Sequence, residues 1–155
     1  MGHIHELIDW SNTVFIVFKD KVLVRLHDKH NIYTGVGGHV ELDEDPVISA
    51  IRECKEEVGL EVIIHDGGKQ PPQMEASMRY LSSPAHMNIH YVGGMQHQHI
   101  DFVYYATSDT DDVVPENKKD SWLWLTKEEL DEHEDIHPQV KFYAQGALQT
   151  LGSYW

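Results

Sequence analysis

The sequence has little of several things, and each scarcity removes a class of explanation. It carries a single cysteine, Cys54, so no internal disulfide can form. A reducing, cytoplasmic setting is the simple expectation. Basic residues are few, 12 Lys and Arg against 26 Asp and Glu, for a formal net charge of −14. Long nucleic acids need a basic face, so they are excluded as expected partners. No apolar run reaches the length needed to span a membrane. The opening Met1-Gly2-His3-Ile4-His5-Glu6 has no basic segment followed by an apolar one and does not read as a signal peptide. No internal repeat, low-complexity tract or linker is visible. A length of 155 residues with 41% hydrophobic content suits one domain with a real core, expected to span 1–155.

Against this background one stretch is dense in signals. Residues 38–60 read G-H-V-E-L-D-E-D-P-V-I-S-A-I-R-E-C-K-E-E-V-G-L. Asp45 can cap a helix, and Pro46 stands where a first helical residue tolerates proline. The helix is predicted to run to about Val58, with Gly59 ending it. At about 100° per residue, Glu53, Glu56 and Glu57 share one face. Val47, Ile51, Cys54 and Val58 share another, predicted to pack on a sheet, with Cys54 a core residue. Three carboxylates within one turn repel one another unless a cation joins them. Oxygen donors without Cys or His point to Mg²⁺, with Mn²⁺ as the alternative.

With those residues in view, the stretch resembles the Nudix box, G-x5-E-x7-R-E-U-x-E-E-x-G-U with U apolar. Gly38, Glu44, Arg52, Glu53, Glu56, Glu57 and Gly59 supply the fixed positions, and Cys54 and Leu60 the apolar ones. Seven identities at ordinary residue frequencies arise by chance on the order of 10⁻⁹ per start position, so coincidence is not a serious competitor. The resemblance implies an α/β/α sandwich with a mixed, partly antiparallel sheet. It also implies Mg²⁺-dependent hydrolysis of a nucleoside diphosphate linked to another moiety. Glu53, Glu56 and Glu57 become the expected metal ligands, with the Gly37 carbonyl a further one. Arg52 is expected to orient Glu44 or a helix glutamate through paired hydrogen bonds. The general base is expected at Glu53, with Glu116 and Asp120, read as solvated loop acids, as the alternatives. Gly38 and Glu41 are candidates for phosphate or metal contact. Tyr33, Tyr91 or Trp122 could stack on a base.

The rest of the chain fits that fold. Thr13–Phe18 and Val22–Leu26 read as a hairpin turning at Lys19-Asp20-Lys21. Ile32–Thr34 is a short strand entering the glycine cluster at 35–38, where backbone can approach a ligand closely. Glu61–His65 is a further strand. Met78–Leu81 reads as a strand inside the irregular region 69–84. Met87–Val92 and His99–Ala106 form a hairpin around Gly93-Gly94, and Ser121–Leu125 is a strand. His97 and His99 share a strand face and are expected to be solvated strand-end histidines rather than a ligand pair. The acidic loop 108–120 shows nothing that would hold it still. Thr126 and Glu129 form a capping box. Pro138 opens a last helix with an apolar stripe at Val140, Tyr143, Ala144, Ala147, Leu148 and Leu151.

Within the family, substrate choice lies outside the box. Pro71 and Pro72 come too early, and Pro84 too late, for the proline of some ADP-ribose hydrolases. Tyr80 is only near the tyrosine position of some dinucleoside polyphosphate hydrolases. The stretch before Thr13 is expected to be too short for the N-terminal domain of many ADP-sugar enzymes. The favoured expectation is a MutT-like enzyme releasing pyrophosphate from a nucleoside triphosphate. ADP-ribose or another nucleoside diphosphate sugar, and dinucleoside polyphosphates, are the enzymatic alternatives, and a Nudix-fold nucleotide-binding module is the non-enzymatic one. An isopentenyl diphosphate isomerase would need a catalytic cysteine outside the box, and none exists. The expected partner is a small nucleotide, with a homodimer left open.

Overall fold

In the computed structural model, residues 4–27, 32–68, 72 and 75–153 are described. Eight strands form one mixed sheet: β1 (Ile8–Phe18), β2 (Lys21–His27), β3 (Ile32–Thr34), β4 (Val36–His39), β5 (Val62–Ile64), β6 (His86–Val92), β7 (His97–Ser108) and β8 (Ser121–Leu125). Among the described residues three helices accompany it: α1 (Pro46–Val58), α2 (Lys127–Glu132) and α3 (Pro138–Leu151). The central path runs β3-β2-β1-β7-β5, with β4 on β1, β6 on β7 and β8 on β2. β1 and β7 pair in parallel from Ile8↔Gln98 to Val17↔Thr107. The other six pairings are antiparallel.

Strand alternation divides the core between two layers. Phe15 and Val17 of β1 join Val103 and Tyr105 of β7 beneath α3, which contributes Ala144, Ala147 and Leu148. Val14 and Ile16 join Tyr104 and Ala106 beneath α1, which contributes Ala50, Cys54 and Val58. Sheet between helices is the expected sandwich.

Local signals fix the helix ends. Asp45 Oδ1 accepts from the Val47 and Ile48 N–H groups at 2.8 and 2.9 Å. Gly59 ends α1 at φ 69°, a conformation that favours glycine. Thr126 and Glu129 form the reciprocal capping box of α2.

Four expectations need correction. β1 begins at Ile8, well before Thr13, because its polar first half is held by β7 and β4 rather than by its own apolarity. Residues 78–81 are not a strand; Met78, Tyr80 and Leu81 are exposed. Part of the irregular region (69–71, 73 and 74) lies outside the described residues. Ile51 does not face the core and is 40% exposed, whereas Ala50 is fully buried. The buried arc of α1 is rotated toward Ser49 and Glu53, so the glutamate face and the packed face overlap.

On one side of its length β1 changes neighbours. Val17 and Phe18 pair with β2, while residues 11–14 pair with β4. At this exchange a cleft of about 380 Å³ opens, lined from β1, β4, β7, α1 and Arg25 of β2.

Candidate active site

Glu53 and Glu57 lie one helical turn apart on α1. Glu53 is almost wholly buried at 2% exposure, and Glu57 lines the cleft. Loss of hydration raises the Glu53 carboxyl, and the same cause pushes Glu57 up to about 8. Arg25 opposes the rise at Glu57, and the Glu53 charge adds to it. The two acids also hydrogen-bond each other. Glu56, next along the chain, is half-exposed at 51% of its side chain. The three glutamates therefore share a direction but not an environment.

Arg52 gathers the carboxylates. Its Nε and Nη2 donate to Glu44 at 2.6 and 2.9 Å, a fork on one carboxylate. Its Nη1 donates to Glu53 and Glu56, both at 3.0 Å, and Nη2 also reaches the His39 carbonyl at 3.2 Å. The Arg52 hydrogen bonds hold the Glu44 carboxyl below its ordinary value, and Glu44 in return raises the guanidinium. Gly38 is required beside Glu53: a Cβ there would stand 2.5 Å from the Glu53 carboxyl carbon. Gly37 lines the cleft on β4. Cys54 is fully buried, and burial pushes its thiol up, so it stays protonated.

The acidic loop is not loose. Val114 and Glu116 donate backbone N–H groups to the carbonyls of Val58 and Glu57, both at 2.9 Å, which ties the loop to the end of α1. Glu116 itself is exposed. Asp120 is not a solvated acid: its side chain is 6% exposed and lies 3.3 Å from Arg25 Nη1. The same nitrogen stands 3.0 Å from Glu57. Sequence reasoning missed Arg25, although an arginine inside the apolar run Val22-Leu-Val-Arg-Leu26 was a visible signal.

Four proposed contacts lie elsewhere. Tyr33 is buried in the core at 8% exposure, against His133, and does not line the cleft. Its burial follows from strand alternation, which turns it to the α3 side. Glu41 is exposed in a separate hollow with Leu42, Glu44 and Trp10. Trp122 sits under Arg25, 5.3 Å from its guanidinium, and Tyr91 is exposed on β6; neither lines the cleft.

The opposite wall of the cleft is polar. Asp101 is buried and accepts from Ser11 Oγ at 2.9 Å and Thr13 Oγ1 at 2.7 Å. Burial raises its carboxyl, and those two hydroxyls oppose the rise. His97 is buried, while His99 is partly exposed in the cleft wall. His97 is 6% exposed, and His99 Nε2 meets His39 Nε2 at 3.0 Å. Burial and the neighbouring imidazoles of His39, His90 and His97 push His99 down to about 4.

A pH dependence follows. A carboxyl raised from 4.5 to about 8 keeps a proton that the unfolded chain has released, so Glu57 makes stability fall as pH rises between those values. The raised Glu53 acts with the same sign. His99, lowered from 6.5 to about 4, acts with the opposite sign, but only between those two values. In chelator, the melting temperature is therefore expected to fall from about pH 6.5 to pH 8. Added Mg²⁺ should reverse the fall, because it binds the ionised carboxylates of the folded state. A flat or rising curve in chelator would remove the buried proton from the account.

The donor set on α1 is entirely oxygen, and two of its acids are close enough to share a proton. A divalent cation would replace that proton and satisfy both, so the residues fit a hard metal ion.

The comparisons agree with this geometry. The family described as NUDIX domain matches residues 11–145. A Nudix-family hydrolase from Clostridium perfringens is 34% identical, covering 92% of this chain and 97% of that one, with a TM-score of 0.80. Two more distant structures share the fold. A MutT protein from Methanosarcina mazei Go1 is 15% identical over 96% of this chain and 98% of its own, TM-score 0.68. An Ap4A hydrolase from C. elegans is 17% identical over 94% and 97%, TM-score 0.61. A comparison with curated proteins found no match. With Arg52 joining the box carboxylates beside one cleft and the family match spanning most of its length, this chain belongs to the Nudix hydrolases, pyrophosphohydrolases of nucleoside diphosphate derivatives that use divalent metal ions.

Proposed function

We propose that this single domain is a Mg²⁺-dependent hydrolase of a nucleoside triphosphate, forming the monophosphate and pyrophosphate. The observation that carries the reading is the pair Glu53 and Glu57, one turn apart on α1: Arg52 bridges Glu53 to Glu44 and Glu56, and Glu57 lines a cleft of about 380 Å³. Glu53, Glu56 and Glu57 would hold the metal, with Gly37 contributing from β4. When bound, Mg²⁺ neutralises pyrophosphate charge and eases formation of a nucleophilic hydroxide.

The chain's own groups supply the rest. Arg52 fixes the carboxylates in position and offsets their charge. Glu53 is the general base: burial raises its carboxyl and so makes it a stronger proton acceptor than an exposed glutamate, and Arg52 holds it in place. Asp120 anchors Arg25, which in turn orients Glu57. On the opposite wall Asp101, Ser11 and Thr13 provide hydrogen-bonding groups for the nucleoside. The cleft volume is near the lower end for small-molecule sites and suits one nucleoside better than two. That favours a triphosphate over a dinucleoside polyphosphate. No Phe, Tyr or Trp lines the cleft among the described residues, so the base is held by polar contacts and by the imidazoles of the wall.

A nucleotide panel with Mg²⁺, read for orthophosphate and pyrophosphate separately, tests this. Pyrophosphate is the expected product from at least one triphosphate, because attack at the α-phosphorus makes it the leaving group. Activity confined to ADP-ribose or another nucleoside diphosphate sugar would overturn the substrate. Binding without turnover on every compound would make the protein a nucleotide-binding module.

A further inference from the structure

A second group of metal-ligating side chains lies on the strands rather than on α1. Asp9 of β1 and His99 of β7 are direct register partners. His97 lies two residues from His99, on the same side of β7. His39 of β4 lies opposite Ser11, two residues from Asp9 on β1. Asp9 is fully buried, and His39 and His97 are each 6% exposed.

The donor atoms converge. One atom each from Asp9, His39 and His99 lies within 4.8 Å of the others. The Nε2 atoms of His39 and His99 are 3.0 Å apart. Asp9 Oδ2 stands 3.9 Å from His39 Nε2 and 3.3 Å from His97 Nε2. Two imidazole nitrogens bound at about 2.0–2.1 Å to one tetrahedral ion stand roughly 3.3 Å apart, a few tenths of an ångström more than this pair. A small outward shift of the histidine pair would admit the ion.

The surroundings orient these donors. The His5 N–H donates to Asp9 Oδ1 at 2.7 Å and the Ile4 N–H to Oδ2 at 3.0 Å. His97 Nδ1 lies 2.9 Å from the Glu6 carbonyl. A carbonyl only accepts, so Nδ1 carries the hydrogen and Nε2 is directed to the Asp9 side. Imidazoles and carboxylates fixed by backbone groups are the usual outer support of a metal site.

We propose that Asp9, His39 and His99, with His97 as a further donor, form a second metal site, for a borderline first-row divalent ion such as Zn²⁺. Imidazole nitrogen favours such ions over Mg²⁺, which prefers oxygen. The ion would tie the start of β1 to β4 and β7. Because His39 and His99 line the same cleft as Glu57, it would stand in the wall of the nucleotide site.

Zn²⁺ titration by calorimetry in saturating Mg²⁺ tests the site on wild type, Glu57→Gln and His99→Gln. One equivalent should bind to wild type and to Glu57→Gln, with affinity reduced by at least about tenfold in His99→Gln. Absence of Zn²⁺ binding, equal binding by His99→Gln, or loss with Glu57→Gln would each overturn the proposal. A reading that needs no variant is zinc-edge X-ray absorption of wild type loaded with one equivalent under excess Mg²⁺. Scattering from at least two imidazoles is expected, and an oxygen-only shell would send the ion to the glutamates and end the proposal.

Discussion

Glu53→Gln should lower kcat by roughly 10²–10⁴-fold at every Mg²⁺ concentration, the usual loss on removing a general base. Glu57→Gln and Glu56→Gln should behave differently. Each removes a metal ligand but leaves the base in place, so activity should fall at low Mg²⁺ and return in part as Mg²⁺ is raised. The distinction is motivated by placement. Glu53 is buried, bonded to Arg52 and to Glu57, and stands where Gly38 leaves room for its carboxylate. Glu56 is half in solvent, and Glu57 borders the cleft beside Arg25. The loop acids form the control. Glu116→Gln and Asp120→Asn should each cost less than about tenfold in kcat, as changes outside the proton-transfer step. Asp120 is included although it is buried, because its carboxylate is engaged with Arg25, and Arg25 keeps Glu57 as a second partner. Steady-state kinetics of the five variants across a Mg²⁺ titration decides the matter. A collapse of kcat in Asp120→Asn or Glu116→Gln that metal does not restore, with Glu53→Gln rescued by metal, would move the base to the loop.

Arg52→Ala should be the most destabilising single change among the box residues. One guanidinium supplies five hydrogen bonds, to Glu44, Glu53, Glu56 and the His39 carbonyl. Removing it leaves the Glu44 and Glu53 carboxylates, with side chains 10% and 3% exposed, without their cation. Stranding one partner of a buried ion pair typically costs about 3–5 kcal/mol. Because Arg52 is itself partly solvated, the lower end, about 3 kcal/mol, is expected, or roughly 6–12 °C in melting temperature for a domain of this size. Arg52→Lys should recover only part of the loss, since an ammonium cannot reproduce the fork on Glu44. Thermal denaturation in chelator measures both. Mg²⁺ should narrow the gap from wild type by offsetting the same carboxylates. A change below about 1 kcal/mol, the range of exposed ion pairs, would show that Arg52 is a surface charge.

What could be read from the chain alone was whatever rests on neighbours in sequence. The α1 boundaries were of this kind, since Asp45, Pro46 and Gly59 act through their own backbone within one turn of the helix. So were the β6–β7 hairpin around Gly93 and Gly94, the capping box at Thr126 and Glu129, and the stripe of α3. The box glutamates and their arginine were legible for the same reason, all lying on or beside one helix.

Tertiary structure decided the rest. Periodicity assigned the glutamates and the apolar residues of α1 to separate faces. Packing instead buried Glu53 beside Ala50 and left Ile51 exposed, because Gly38 admits the carboxylate beneath the helix. The polar start of β1 gave no strand signal: Asp9, Ser11 and Asn12 are buried only because β7 and β4 flank them. Ser11 and Thr13 find their acceptor, Asp101, 90 and 88 residues away. Arg25 meets Asp120 across 95 residues, which turned a loop acid into a buried one. Local backbone preference is written in a few adjacent residues and can be read there. The burial of a charge depends on which distant strand supplies its partner, and that is known only once the sheet has closed.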